Sequence, residues 1–176
     1  GYQFRRNFKL YVRDEKDSEL ALCPAVTSII RRTANLILDL GFLFRSGNFV
    51  NDLDESGFVN LKMLRLKSGS WECLIDSTTN LAPRHVFENL VFMELTSGKL
   101  EEICYGNLPP RCFSQLQEMK LQRINFIEYL WKGPIEPPSL CNLRGIEVSN
   151  CQRIITLFSQ SVLKCLVKLQ KIVVYS

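Results

Sequence analysis

The sequence predicts an α/β solenoid, a curved stack of short units with one parallel strand in each. Three observations carry this. First, one apolar spacing recurs at Leu61, Leu64 and Leu66, at Leu90, Met93 and Leu95, at Leu116, Met119 and Leu121, at Leu143, Ile146 and Val148, and at Leu169, Ile172 and Val174. Second, the leading leucines stand 29, 26, 27 and 26 residues apart. Third, alternate residues of a short strand point to the same face, so the last two apolar positions of each unit face inward together.

A period of this size with an L-x-x-L-x-L core is the signature of a leucine-rich repeat. One unit cannot bury its apolar face alone, but stacked units cover one another in a continuous core. Each fully buried Leu, Ile or Met contributes roughly 1.5–3 kcal/mol. An ordinary α/β domain with scattered leucines would not hold this spacing through five units. The expected architecture is a right-handed superhelix with a parallel β-sheet on the concave face and irregular loops and short helices on the convex face. Residues 1–176 form one repeat domain of about seven units, the first two degenerate.

In chain order, residues 2–6 are aromatic and basic, and residues 7–12 alternate like a strand, with Leu10 and Val12 as its inward pair. Residues 13–19 form a charged loop. Residues 24–32 predict a short helix with Val26, Ile29 and Ile30 on one side. Thr33, Leu36 and Leu38 then repeat the core spacing. Residues 41–57 read as a loop whose Asp52, Asp54 and Glu55 are solvated, since their spacing does not match a calcium-binding loop with its glycine and terminal glutamate. Farther on, Pro109, Pro110, Pro134, Pro137 and Pro138 exclude regular helix and strand from the returning segments. Residues 159–169 are the exception, a short helix capped by Ser159 or Ser161. The turn position where many such repeats carry asparagine holds Gly69, Gly98, Ile124 and Cys151, so those turns must be satisfied in another way.

The chain has 176 residues, 46% of them hydrophobic, enough for a core. Its 22 basic and 18 acidic side chains leave a net charge of +4, too weak a bias to imply nucleic acid, and no basic run is interleaved with aromatics. No apolar run approaches the length of a membrane span. The chain starts at Gly1 rather than Met and shows no signal peptide, so it reads as part of a longer protein. Its last strand carries no polar cap, and an isolated segment is expected to be marginally stable or to self-associate. The seven cysteines form no C-x-x-C pair. They read as reduced thiols acting as small hydrophobes, which excludes a zinc site and suits a cytoplasmic location. His85, the one histidine, has no sequence partner for nucleophilic catalysis, so no enzyme activity, cofactor or metal is expected.

The residues flanking each inward pair face the concave surface. The candidate protein-binding residues there are Met63, Arg65, Phe92, Glu94, Glu118, Lys120, Glu147, Lys171, Val173 and Tyr175. Arg65, Glu94, Lys120 and Glu147 alternate in sign along the stack, an arrangement that either ties neighbouring strands together or orients a partner. Met63 and Phe92 add apolar contact area beside the charge.

Several phrases together resemble one family. These are Phe58-x-Asn-Leu-Lys-x-Leu-x-Leu66, Leu100-Glu-Glu-Ile-Cys-Tyr-Gly106, Cys112-Phe-Ser-Gln-Leu-Gln117, and Val148-Ser-Asn-Cys151 with Leu157-Phe-Ser159. Arg31-Arg-Thr33 with Leu36 and Leu38, and Asp54-Glu-Ser-Gly-Phe58, add to them. The chain resembles the leucine-rich repeats of plant coiled-coil, nucleotide-binding disease-resistance receptors. That resemblance implies a sensor that perceives a pathogen effector or a guarded host protein, restrains an adjacent nucleotide-binding domain, and triggers defence and local cell death. Its partners would be proteins. The chain has no G-x-x-x-x-G-K-[ST] loop, so the nucleotide site belongs to another domain. Alternative roles for the same architecture are substrate recruitment to a ubiquitin ligase, which an upstream F-box would mark, and a structural scaffold.

Overall fold

A computed structural model describes residues 6–14, 22–41 and 47–176. Among them the strands are β1 (Asn7–Tyr11), β2 (Asn35–Asp39), β3 (Met63–Lys67), β4 (Ile75–Asp76), β5 (Phe92–Thr96), β6 (Cys104–Tyr105), β7 (Glu118–Gln122), β8 (Tyr129–Trp131), β9 (Gly145–Ser149), β10 (Thr156–Phe158) and β11 (Lys171–Tyr175). The helices are α1 (Pro24–Arg31), α2 (Phe49–Leu53) and α3 (Gln160–Leu163). Residues 2–5, most of the charged loop at 13–19, and residues 42–46 of the predicted acidic loop lie outside the described residues.

Seven strands form one sheet in the order β1-β2-β3-β5-β7-β9-β11, and every pairing in it is parallel. Leu64, Met93, Met119 and Ile146 are register partners along one inward row, and Leu66, Leu95, Leu121 and Val148 along the other. All eight are buried, which is the stacked core that the spacing predicts. On β11 the equivalent Ile172 and Val174 are 47% and 64% exposed, because that strand has a neighbour on one side only. The register of β1 differs from expectation. Phe8 and Leu10, rather than Leu10 and Val12, stand opposite Leu36 and Leu38. Val12 lies just beyond the strand, buried, with its N–H donating to the Asp39 carbonyl at 2.8 Å.

The turns that leave the strands are satisfied by backbone. The N–H groups of Val12, Leu40, Ser68, Ser97, Arg123 and Asn150 each donate to the last strand carbonyl of the next coil. The turns that lead into the strands follow another rule. Phe58, Phe87, Phe113 and Leu140 hold positive φ angles of 58°, 49°, 58° and 62°. Each carbonyl there accepts from the leading leucine three residues on, Leu61, Leu90, Leu116 or Leu143. A left-handed non-glycine residue costs about 1–2 kcal/mol. Burial and ring contact offset it: Phe49 stacks on Phe58 at 5.1 Å, Phe58 on Phe87 at 5.3 Å, and Phe87 on Phe113 at 5.5 Å. Trp131 and Phe158 extend the aromatic column.

The opposite side of each coil is irregular, with two short parallel pairs, β4-β6 and β8-β10. In α1, Ile30 is buried and Val26 half-buried, but Ile29 turns outward and is 39% exposed. Two expectations fail here. Residues 49–53 are helical, started by Asn48, whose Oδ1 accepts from the Asn51 N–H at 2.9 Å. Nor are the acidic residues all solvated. Asp54 is 1% exposed and accepts from the Ser56 N–H at 3.0 Å and the Phe58 N–H at 3.1 Å, while Asp52 accepts from Trp71 Nε1 at 2.6 Å. Asp54 holds the turn into β3 and finds there the donors that explain its burial, while Asp52, half-buried, ties α2 to Trp71 beyond that strand. Ser159 occupies the N-cap position of α3, but its hydroxyl bonds to Ser161 Oγ at 2.8 Å instead of capping backbone.

Candidate functional site

The pleat of the large sheet decides which side chains form the concave surface. Because Leu64 and Leu66 face inward, Met63, Arg65 and Lys67 face out, and the same holds coil after coil. Three rows result. One runs Met63, Phe92, Glu118, Gly145, Lys171; the next runs Arg65, Glu94, Lys120, Glu147, Val173; the third ends in Ser149 and Tyr175.

The middle row is not a continuous ladder. Arg65 Nε stands 3.6 Å from Glu94 Oε2, and Lys120 Nζ stands 3.9 Å from Glu147 Oε2. These are two separate pairs. All four side chains keep a third or more of their exposure or close to it, so each pair contributes less than about 1 kcal/mol. Arg65 also lies over the Phe92 ring, 5.5 Å from its centroid, which fixes the ring edge of the surface. Asp39 and Lys67 form a third concave pair at 3.9 Å.

Six of the ten candidates converge. Phe92, Glu118, Lys120, Glu147, Lys171 and Val173 line one depression of about 250 Å³, together with Gly145 and Ile146. Met63, Arg65, Glu94 and Tyr175 share the concave face but lie outside it. Gly145, buried on β9, forms part of its floor. A Cβ there would collide with the Glu118 carboxylate, which lies over the β9 backbone. Gly145 is therefore the residue that a search for charged and aromatic side chains misses. Its signal is a glycine at a surface-facing position inside a strand, where another group approaches the backbone closely.

Two carboxylates and two ammonium groups surround an apolar margin of Phe92 and Val173, a mixture of charge and apolar area. His85 lies in a different turn, exposed, with Nδ1 at 2.7 Å from Glu88 Oε1. Among the described residues, no group of three or more His, Cys, Asp or Glu side chains is placed to hold a metal ion, and no helix is long and apolar enough to cross a membrane.

The profile of the family described as plant disease resistance protein RPS2-like, leucine-rich repeats, matches residues 51–176. No curated protein and no solved structure matches the chain.

Proposed function

The chain belongs to the leucine-rich-repeat family of plant disease resistance proteins, and from that premise we propose that it is the sensing domain of an intracellular immune receptor of the coiled-coil, nucleotide-binding class. In this reading the concave depression takes a side chain from a pathogen effector or a guarded host protein. The same domain restrains an adjacent nucleotide-binding domain until that contact is made. Activation then leads to the hypersensitive response in the cytoplasm.

The observation that carries the reading is the convergence of Phe92, Glu118, Lys120, Glu147, Lys171 and Val173 around the notch at Gly145. Alternating charge rejects mismatched partners and fixes orientation, while the apolar margin supplies contact area. The first check is the coding sequence upstream of Gly1. A G-x-x-x-x-G-K-[ST] loop supports the receptor, whereas an F-box transfers the domain to a ubiquitin ligase.

The second check is made in the whole receptor expressed in leaves. Gly145→Val displaces the Glu118 carboxylate from over β9 and so reshapes the depression, on a strand that tolerates β-branched residues. The expected result is loss of effector-triggered cell death with an unchanged protein level. A response equal to wild type removes the depression from the sensing surface. Death without effector assigns the notch to restraint instead.

A further inference from the structure

The convex side of the solenoid has a break that its own chain does not close. Among the described residues β6 pairs only with β4, and β8 only with β10, so β6 and β8 belong to consecutive coils yet are not joined to one another. Between them lies a depression of about 210 Å³, lined from the β6 coil by Cys104, Asn107 and Leu108 and from the β8 coil by Trp131, Gly133 and Ile135. A second depression of about 180 Å³ shares Asn107, Leu108 and Pro134 with the first and continues past Pro109 and Pro110. The two form one cleft.

Trp131 adds an independent sign. It is 5% exposed, and its Nε1–H meets no acceptor among the described residues. A buried donor left unpaired costs about 1–3 kcal/mol, and Trp71, the other tryptophan, shows what a paired indole does by donating to Asp52 at 2.6 Å. Across the same cleft, Lys132 Nζ reaches Glu102 Oε1 at 2.9 Å and lies over the Tyr129 ring, 5.4 Å from its centroid. These two ionic side chains are already satisfied, so the part of the cleft beside β8 asks for no charge.

We propose that the cleft between β6 and β8 takes an extended, uncharged peptide segment of a partner protein, added as a strand along these two unjoined edges. Strand addition is a recurrent mode of peptide recognition in which backbone bonds give affinity and side-chain pockets give selectivity. The segment brings a carbonyl oxygen to Trp131 Nε1–H, sets an apolar side chain against Leu108 and Ile135, and carries no proline at its centre. This site lies on the face opposite the concave depression and does not depend on it.

The probe is a phage-displayed library of random linear nonapeptides, selected on the whole chain, with enriched peptides resynthesised for calorimetry. The expected peptides are short of proline and charge at their centre. Methylating their central amide nitrogens is expected to weaken binding at least tenfold while leaving the protein untouched. Trp131→Phe keeps the shape and removes the donor, and a three- to tenfold loss is expected, the worth of one hydrogen bond. Gly133 has an ordinary backbone angle, and a Cβ there stands 3.5 Å from Asn107 Oδ1. Gly133→Phe therefore fills the cleft and is expected to abolish binding, with Lys120→Glu on the concave face as the unaffected control. Failure to enrich any peptide overturns the proposal. So does binding that is indifferent to N-methylation and to Trp131→Phe, or that is lost in Lys120→Glu.

Discussion

The side-chain amide of Asn142 donates to the Ser114 carbonyl of the preceding coil at 2.7 Å. The same bond recurs one residue before the leading leucine of other units, from Asn89 to the Val59 carbonyl at 2.8 Å and from Asn60 to the Arg31 carbonyl at 3.1 Å. Where Gln115 holds that position, Ser114 Oγ substitutes by donating to the Glu88 carbonyl at 3.3 Å. Lys168 Nζ then reaches Asn142 Oδ1 at 2.7 Å and carries the series into the last coil. The chain therefore does have an asparagine ladder, on the turns that lead into the strands rather than on those that leave them.

Asn142→Ala is expected to lower stability by about 1–2 kcal/mol, because it removes a bond to a carbonyl that the fold partly shields from water. Gln115→Ala, at the position where a serine does the work, is expected to stay within about 0.5 kcal/mol of wild type. Denaturant midpoints of both variants decide it. Equal losses would mean that the ladder bonds contribute nothing particular.

Two glycines with similar backbone angles should behave very differently. Gly57 has φ +92°, and a Cβ there would stand 1.8 Å from the His85 carbonyl oxygen. Gly98 has φ +105°, but the nearest atom to its Cβ, the Ser68 oxygen, is 3.4 Å away. Gly98→Ala meets the conformational penalty alone, about 1 kcal/mol. Gly57→Ala must also push apart two coils at the point where the Phe87 N–H donates to the Gly57 carbonyl at 2.9 Å. A loss above about 3 kcal/mol, or failure to fold, is expected for it. Comparable melting temperatures for the two variants would contradict this geometry.

Much of this was legible in the sequence, and the exceptions have physical reasons. The inward residues of β3, β5, β7 and β9 follow from the apolar spacing, and strand parity then places Phe92, Glu94 and Lys120 on the concave face. Phe8, Leu10 and Val12 all share one parity, so alternation alone could not choose which two pair with Leu36 and Leu38. Asp52 and Asp54 looked solvated because charge and spacing alone do not show which donors the folded chain turns toward them. Trp71 comes from the next coil, and the Phe58 N–H is presented only by the turn that Asp54 itself shapes. The depression sets Gly145 between Glu118 and Lys171, an order visible only once strands are set side by side.

Reversing one concave charge tests whether the middle row helps hold the sheet. Glu94→Lys replaces the partner of Arg65 with a third cation beside Lys120, its register neighbour on β7. Like charges directly opposite destabilise a strand pair, by less than about 1 kcal/mol at this exposure. The loss should shrink as salt rises toward 1 M, where the screening length falls to about 3 Å. An unchanged midpoint at low salt would leave the row without a structural role and assign it wholly to recognition.

Alkaline pH tests the cysteines. Burial pushes the Cys73 thiol from 9.0 up to about 12 and the Cys104 thiol up to about 11. Between pH 9 and these values the unfolded chain gives up both protons and the folded chain keeps them. The folded state then binds more protons, so stability falls as pH rises. The stabilisation is complete below pH 9 and is lost progressively from pH 9 through 11 and 12. Cys73→Val and Cys104→Val remove the titrating groups while keeping the sites apolar. The melting temperature of the double variant is expected to fall less between pH 8 and pH 10.5 than that of wild type. In parallel, Cys23, Cys141 and Cys151, which are only half-buried, should react with a thiol reagent in the native protein while Cys73, Cys104, Cys112 and Cys165 resist until it unfolds. Equal pH dependence in both proteins, or rapid native labelling of Cys112, would show that these thiols are not sealed in the core.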